Sequence, residues 1–261
     1  MLPEPADVPR ADEQCTVRTI PAPPTPSEQR EFVSPVRVAA GLAAPLPLFV
    51  VLNLWLGFLL FFGADDEVGL AAVLRFFDLN GERTVPAWYS TVLLFLSAII
   101  SWIIARYHQL SGARFTLHWY LLAAIFVYLS MDENLSIHEK TIKPIRNFLG
   151  VSGFLYWAWV IPGWVFVLTV GSFYWKFVWS LPETIRRHVI GAAIVYVPGA
   201  LDLGLRGGVL QERYGAGVAG EMSTMTEELL EFTGLIWFIY AQLRYLNLVG
   251  GSADTAQIEP V

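Results

Sequence analysis

The chain has 261 residues, of which 55% are hydrophobic and only 15% charged, with a formal net charge of -6 and a mean hydropathy of +0.50. That charged fraction is well below the roughly 25% of soluble domains, and the acidic balance excludes a nucleic-acid partner, which needs a basic face against phosphate. One cysteine, Cys15, can form neither an internal disulfide nor a thiolate zinc site.

Residues 1–38 are rich in Pro, Glu, Arg and Ala, and the run Pro21-Ala-Pro-Pro-Thr-Pro26 suits neither a helix interior nor a packed strand. A disordered tail is expected there, and it lacks the basic start, apolar middle and small-residue cleavage site of a signal peptide. A transmembrane helical domain is expected over 39–248, with a short polar tail over 249–261. Within that domain lie six apolar segments, each near the roughly 20 residues that span hydrocarbon. They run from about Ala40 to Gly63, Pro86 to Tyr107, Phe115 to Met131, Phe154 to Val178, Val189 to Leu205 and Met222 to Tyr245. Pro86 suits a first helical turn. Pro162-Gly163 is a candidate kink in the fourth segment. The fifth is short and interrupted by Pro198-Gly199 and Asp202. Backbone amides in lipid must pair internally, so the expected fold is all-α, a polytopic bundle of about six spanning helices. The abundant Trp, Tyr and Phe suit helix ends at the membrane interface.

Six spans would put both termini on one side. Basic residues are divided almost evenly between the two sides, so they decide little about orientation. The missing signal peptide and the acid-free turn Arg106–Arg114 favour cytoplasmic termini in a bacterial inner membrane. The acids are not divided evenly. Asp65, Asp66, Glu67, Asp78, Glu82, Asp132, Glu133, Glu139, Asp202, Glu212, Glu221, Glu227, Glu228 and Glu231 all fall on the side opposite the termini. Acids do not set topology, so this skew needs another cause.

Two segments carry it. Ser130-Met-Asp-Glu-Asn-Leu-Ser-Ile-His-Glu139 lies at the outer end of the third span. As a continuous helix it would place Asp132, Ser136 and Glu139 on one face, with Glu133 and His138 pointing elsewhere. A helix break there would bring His138 round. The second segment opens the sixth span, where Thr224, Glu227, Glu228 and Glu231 follow the i, i+3, i+4, i+7 stripe of one helix face. Asp202, with Arg206 one turn on, is a third contributor. Ionised carboxylates facing lipid cost several kcal/mol each. They are therefore expected to face the bundle, share protons or bind a cation.

The Asp-Glu-x-x-Ser-x-His-Glu run (132–139), the Pro-Gly-Ala segment (198–200) and the late Glu-Glu-Leu-Leu-Glu-Phe-x-Gly helix (227–234) resemble a group of uncharacterised bacterial multi-pass membrane proteins, as does Phe77-Asp-Leu-Asn-Gly-Glu82. The resemblance covers roughly residues 75–245. It implies a shared fold and polar cluster and brings no activity. Ferritin-like di-iron bundles, alkaline-ceramidase-type hydrolases and CAAX-type proteases each require histidines or an arginine that the matching positions lack.

Three functions follow. In the first, Asp132, Glu133, His138, Glu139, Asp202, Glu227, Glu228 and Glu231 supply ligands for a divalent metal ion that activates water or oxygen toward a membrane-soluble substrate. In the second, the acids hold together a non-catalytic assembly or sensor subunit, with protein partners or further copies of the chain. In the third, they relay protons or cations in a small transporter.

Overall fold

The computed structural model describes residues 33–63, 65, 68–203 and 218–257, without the side chains of 154, 202, 203, 218–221 and 252–257. The expected tail up to residue 32, the loop acids Asp66 and Glu67, the Asp202 side chain with Arg206, and Glu212 with the Glu221 side chain lie outside that description. Among the described residues every regular element is helical.

The chain enters the bundle through α1 (Pro35–Ala43) and α2 (Leu46–Phe61), together one apolar stretch interrupted at Ala44-Pro45. Pro35 sits in the first turn of α1, where its missing N–H costs nothing. A short α3 (Gly69–Leu74) folds back on α2. The next helix, α4 (Val85–Leu110), begins as the sequence suggests: Thr84 caps it by accepting the Ala87 amide, and Pro86 lies in the first turn. Then come α5 (Thr116–Leu135), α6 (Ile137–Leu149), α7 (Val160–Ser180), α8 (Glu183–Val197), a π-helical segment at Pro198–Leu203, and the long α9 (Val218–Gln257).

Three stretches are long and apolar enough to cross a membrane: α1 with α2, α4, and α7. A fourth is available if α5 and α6, bent by 77° at their junction, count as one broken span. The two remaining expected segments differ from simple spans for separate reasons. Helix α8 has only 15 residues and stops at Pro198. Helix α9 carries acids in its early turns and Gln242, Arg244 and Asn247 further on. It tolerates them because it is the axis of the bundle. It packs against α8, α4, the π segment and α1, and it buries Phe232, Leu235, Ile239 and Leu243. A helix sheathed by others need not be apolar all round.

The outer helices show the reverse. Val165, Leu168, Phe173 and Trp175 of α7, Trp55, Phe58 and Phe61 of α2, and Phe62 just after it, are exposed. Apolar faces on this scale signal a lipid environment. Pro162-Gly163 does not kink α7, because the helix begins at Val160 and the pair falls in its first turn. Helix contacts are tightest at two glycines of the α8–α9 seam. A Cβ at Gly234 would come within 2.7 Å of the Tyr196 backbone nitrogen, and one at Gly191 within 2.6 Å of the Trp237 ring. Small residues that let helices approach this closely are the membrane form of core packing.

Candidate functional site

At one end of the bundle the chain builds an acid–histidine cluster from four separate elements. Its foundation is the break between α5 and α6. Ser136 adopts a left-handed backbone (φ 50°, ψ 48°), a conformation that costs a non-glycine residue about 1 kcal/mol or more. The turn is held by Asp132. One carboxylate oxygen accepts the His138 backbone N–H at 2.9 Å and the other accepts the His138 ring Nδ1 at 2.8 Å. Because an ionised carboxylate only accepts, Nδ1 carries the hydrogen and Nε2 is left as the basic nitrogen. Among the described residues no protein group bonds Nε2.

Of the two arrangements open from the sequence, a continuous helix or a break that brings His138 round, the chain adopts the break. The helix turns at Ser136, His138 comes round to Asp132, and Glu139 is exposed one position further on.

The stretch Phe77–Glu82 supplies the second element. Asp78 accepts the Asn80 amide at 2.9 Å and pairs with Arg75 at 2.7 Å, while Asn53 of α2 accepts the Leu79 amide at 3.0 Å. These bonds fix a tight loop ahead of α4. Glu82, at its end, accepts the Ser136 hydroxyl. Helix α4 contributes the buried Ser90, whose hydroxyl faces Glu133. It also fixes the end of α5, since Ser130 donates to the Thr91 carbonyl at 3.0 Å. Glu133 interacts electrostatically with His138, Asp132 and Glu82. Trp159, just before α7, lies against His138 with ring centroids 4.7 Å apart. The turn leading to it is braced by Arg146 over the Tyr156 ring at 4.5 Å.

From the opposite side α9 presents Glu228 and Glu231. Both interact electrostatically with Glu133, with Glu227 and with Tyr196 of α8. Glu231 packs on the π segment: a Cβ at Gly199 would meet its Cγ at 3.3 Å and the Glu227 carbonyl oxygen at 3.2 Å. The glycine of the expected Pro-Gly break is thus what lets the chain pass against the acidic stripe. Among the described residues, no Lys or Arg forms an ion pair with Glu133, Glu228 or Glu231.

The structure therefore gathers Asp132, Glu133, His138, Glu228 and Glu231 with Glu227 beside them, and leaves Glu139 outside. Among the described residues no group of three or more His, Cys, Asp or Glu side chains is assembled to hold a metal ion. Asp132 spends both oxygens on His138, and Glu82 is engaged by Ser136.

Two contributors were not singled out from the sequence as site residues. Glu82 lay within the Phe77–Glu82 stretch, whose conspicuous Asp-Leu-Asn-Gly composition was the available signal. Ser90 had none, since a serine in an apolar helix has no distinctive spacing.

A second polar network lies elsewhere in the core. His108 of α4 bonds the Tyr245 hydroxyl through Nε2 at 2.9 Å and the Arg114 carbonyl through Nδ1 at 3.1 Å. That carbonyl can only accept, so Nδ1 is the donor and Tyr245 donates to Nε2. One α9 turn before Tyr245, Gln242 donates to the Ser97 carbonyl at 3.0 Å and to the Ser101 hydroxyl at 2.7 Å. These bonds clamp α4 to α9 inside the apolar core.

Fold and site together define a protein whose described residues are helical, with three or four stretches long and apolar enough to cross a membrane and an acid–histidine cluster at one end of its bundle. The chain belongs to the family described as a domain of unknown function (DUF8692), whose model matches residues 46–246, a stretch that contains every residue of the cluster. No curated protein and no solved structure matches it.

Proposed function

We propose that this protein is a membrane-embedded acid–base centre, in which the Asp132–His138 pair exchanges a proton with a group delivered from the membrane. The observation that carries the reading is the pair itself, built across a strained helix break. Asp132 fixes the imidazole tautomer and stands ready to balance the imidazolium charge, which is how a carboxylate equips histidine as a general base. On proton transfer the proton leaves a bound O–H, N–H or water and settles on Nε2. Glu133, with Ser90 beside it, and the Glu228–Glu231 stripe supply further proton-holding groups, as intramembrane carboxylates do elsewhere. In this reading α8 and α9 complete a six-crossing bundle in a bacterial cytoplasmic membrane, with both termini on the cytoplasmic side.

A metal-centred second reading is favoured by one feature. A carboxylate that holds one ring nitrogen of a histidine is the usual outer partner of a metal-ligating imidazole. Glu133 and Glu228 would then join Nε2 as ligands, with Asp202 as a further candidate.

One experiment separates the two. The full chain is labelled with ¹⁵N-histidine in lipid nanodiscs, and its spectra are read with and without added Mn²⁺ or Zn²⁺, alongside metal analysis of the purified protein. The acid–base reading expects His138 as the Nδ1–H tautomer, shifting to Nε2–H or to a mixture in Asp132→Asn, with no stoichiometric metal. Stoichiometric metal lost in His138→Ala and Glu133→Gln establishes the metal reading instead. An Nε2–H tautomer in the unaltered, metal-free protein would refute the acid–base reading.

A further inference from the structure

An open groove of about 490 Å³ runs between α5 and α7, lined by Leu121, Ile125 and Tyr128 on one wall and by Phe166, Val170 and Phe173 on the other. The helices flanking it are antiparallel. At one end the Tyr174 hydroxyl bonds the His118 carbonyl at 2.8 Å, and the His118 ring stacks on Phe173 at 4.8 Å. At the other end His138 meets Trp159, immediately before α7.

Helical periodicity carries both walls to the acid–histidine cluster. Leu121, Ile125 and Tyr128 lie on one stripe of α5, and the next position on it is Asp132. On α7, two turns back from Phe166 is Trp159. The groove is thus closed at one end by aromatic rings, and both of its walls continue along their helices toward the Asp132–His138 pair.

From this juxtaposition we propose that the groove holds the hydrocarbon chain of a neutral, hydroxyl-bearing membrane lipid, whose head lies at the Asp132–His138 pair. The proposal rests on the acid–base reading and names its substrate class. The volume of about 490 Å³ falls in the roughly 300–1,000 Å³ range of small-molecule sites. The lining is apolar along its length, as a hydrocarbon chain requires. One turn beyond Tyr128, α5 carries the Asp132 carboxylate, which disfavours an anionic phosphate head there. A hydroxyl can instead donate to Nε2, the nitrogen that Asp132 leaves open.

The test uses the full chain in phosphatidylcholine nanodiscs with a diacylglycerol carrying a diazirine on its acyl chain, and a phosphatidic acid with the same chain as comparison. Labelled peptides are mapped by mass spectrometry. Diacylglycerol is expected to label 121–128 and 166–173 several-fold above the exposed α2 face at Phe58–Phe62, with unlabelled diacylglycerol competing. Ala124→Trp and Thr169→Trp, both substitutions at exposed positions lining the groove, are expected to reduce that labelling to the α2 level. His138→Ala should keep the chain labelling and lower the preference over phosphatidic acid without abolishing it, because the hydroxyl's acceptor is lost while the Asp132 carboxylate stays.

Labelling equal to the α2 face, or insensitive to competition, would mean ordinary annular lipid and overturn the proposal. A cross-link between α5 and α7 of separate copies would overturn it in favour of self-association. Should groove labelling fail while His138 keeps its Nδ1–H tautomer, the lipid assignment falls alone. Selective labelling with the opposite tautomer would retain the lipid site and remove the acid–base centre.

Discussion

Replacing Asp132 by alanine should unlock the joint between α5 and α6. The side chain makes two hydrogen bonds, to the His138 amide and to its ring. Bonds to an ionised group contribute roughly 1.5–3 kcal/mol each. The pair is partly screened, with 30% of the His138 side chain and 15% of the Asp132 side chain exposed, so the lower end applies. A combined loss of about 2–4 kcal/mol is expected for the local turn. Without this anchor, the Ser136–Glu82 bond is left as the main offset to the left-handed backbone of Ser136, and relaxation toward a right-handed conformation would straighten the bend. Hydrogen exchange of the full chain, followed over residues 130–142, reads this directly. The His138 amide should lose protection in Asp132→Ala and retain much of it in Asp132→Asn, which keeps an acceptor for the backbone. Global unfolding should change little, because the joint lies at the end of the bundle. Protection at His138 that is identical in wild type and Asp132→Ala would show that the carboxylate does not hold the break.

The α8–α9 seam offers a sharper packing test. Gly234→Ala forces a Cβ into the Tyr196 backbone and should cost roughly 1–3 kcal/mol in thermal unfolding, whereas Gly171→Ala meets open space and should be close to neutral. Equal melting temperatures for the two variants would contradict the observed approach. Gln242→Leu removes both bonds to α4 and leaves the Ser101 hydroxyl to find another partner; a loss of about 0.5–2 kcal/mol is expected, measured by chemical denaturation in detergent. Tyr245→Phe deletes the donor to His108 Nε2, with an expected loss of about 1 kcal/mol. In ¹⁵N spectra it should shift the His108 Nε2 signal while leaving His138 unmoved, and a coincident change at His138 would mean that the two networks are coupled.

Much of the architecture is written in the chain itself. Lipid forbids unpaired backbone polar groups, so long apolar runs had to be helices, and α4 and α7 are found where their hydropathy puts them. Local chemistry was equally legible at Thr84 and Pro86, where capping depends on neighbours only. The acidic skew likewise marked which carboxylates need shelter, since unpaired carboxylates facing hydrocarbon are costly.

Folding decided the rest, because it depended on contacts between residues far apart in sequence. Whether α5 continues past Ser136 turns on the balance between backbone strain and the bonds Asp132 makes once His138 has come round. That balance exposes Glu139 and draws in Glu82 and Ser90, which no spacing rule links to His138. The role of α9 also emerged only in three dimensions. Its polar residues weaken its hydropathy as a span, yet surrounding helices shelter them, so burial by neighbours replaces an apolar sequence. Sequence thus determined which segments avoid water, and tertiary packing determined which polar groups meet inside them.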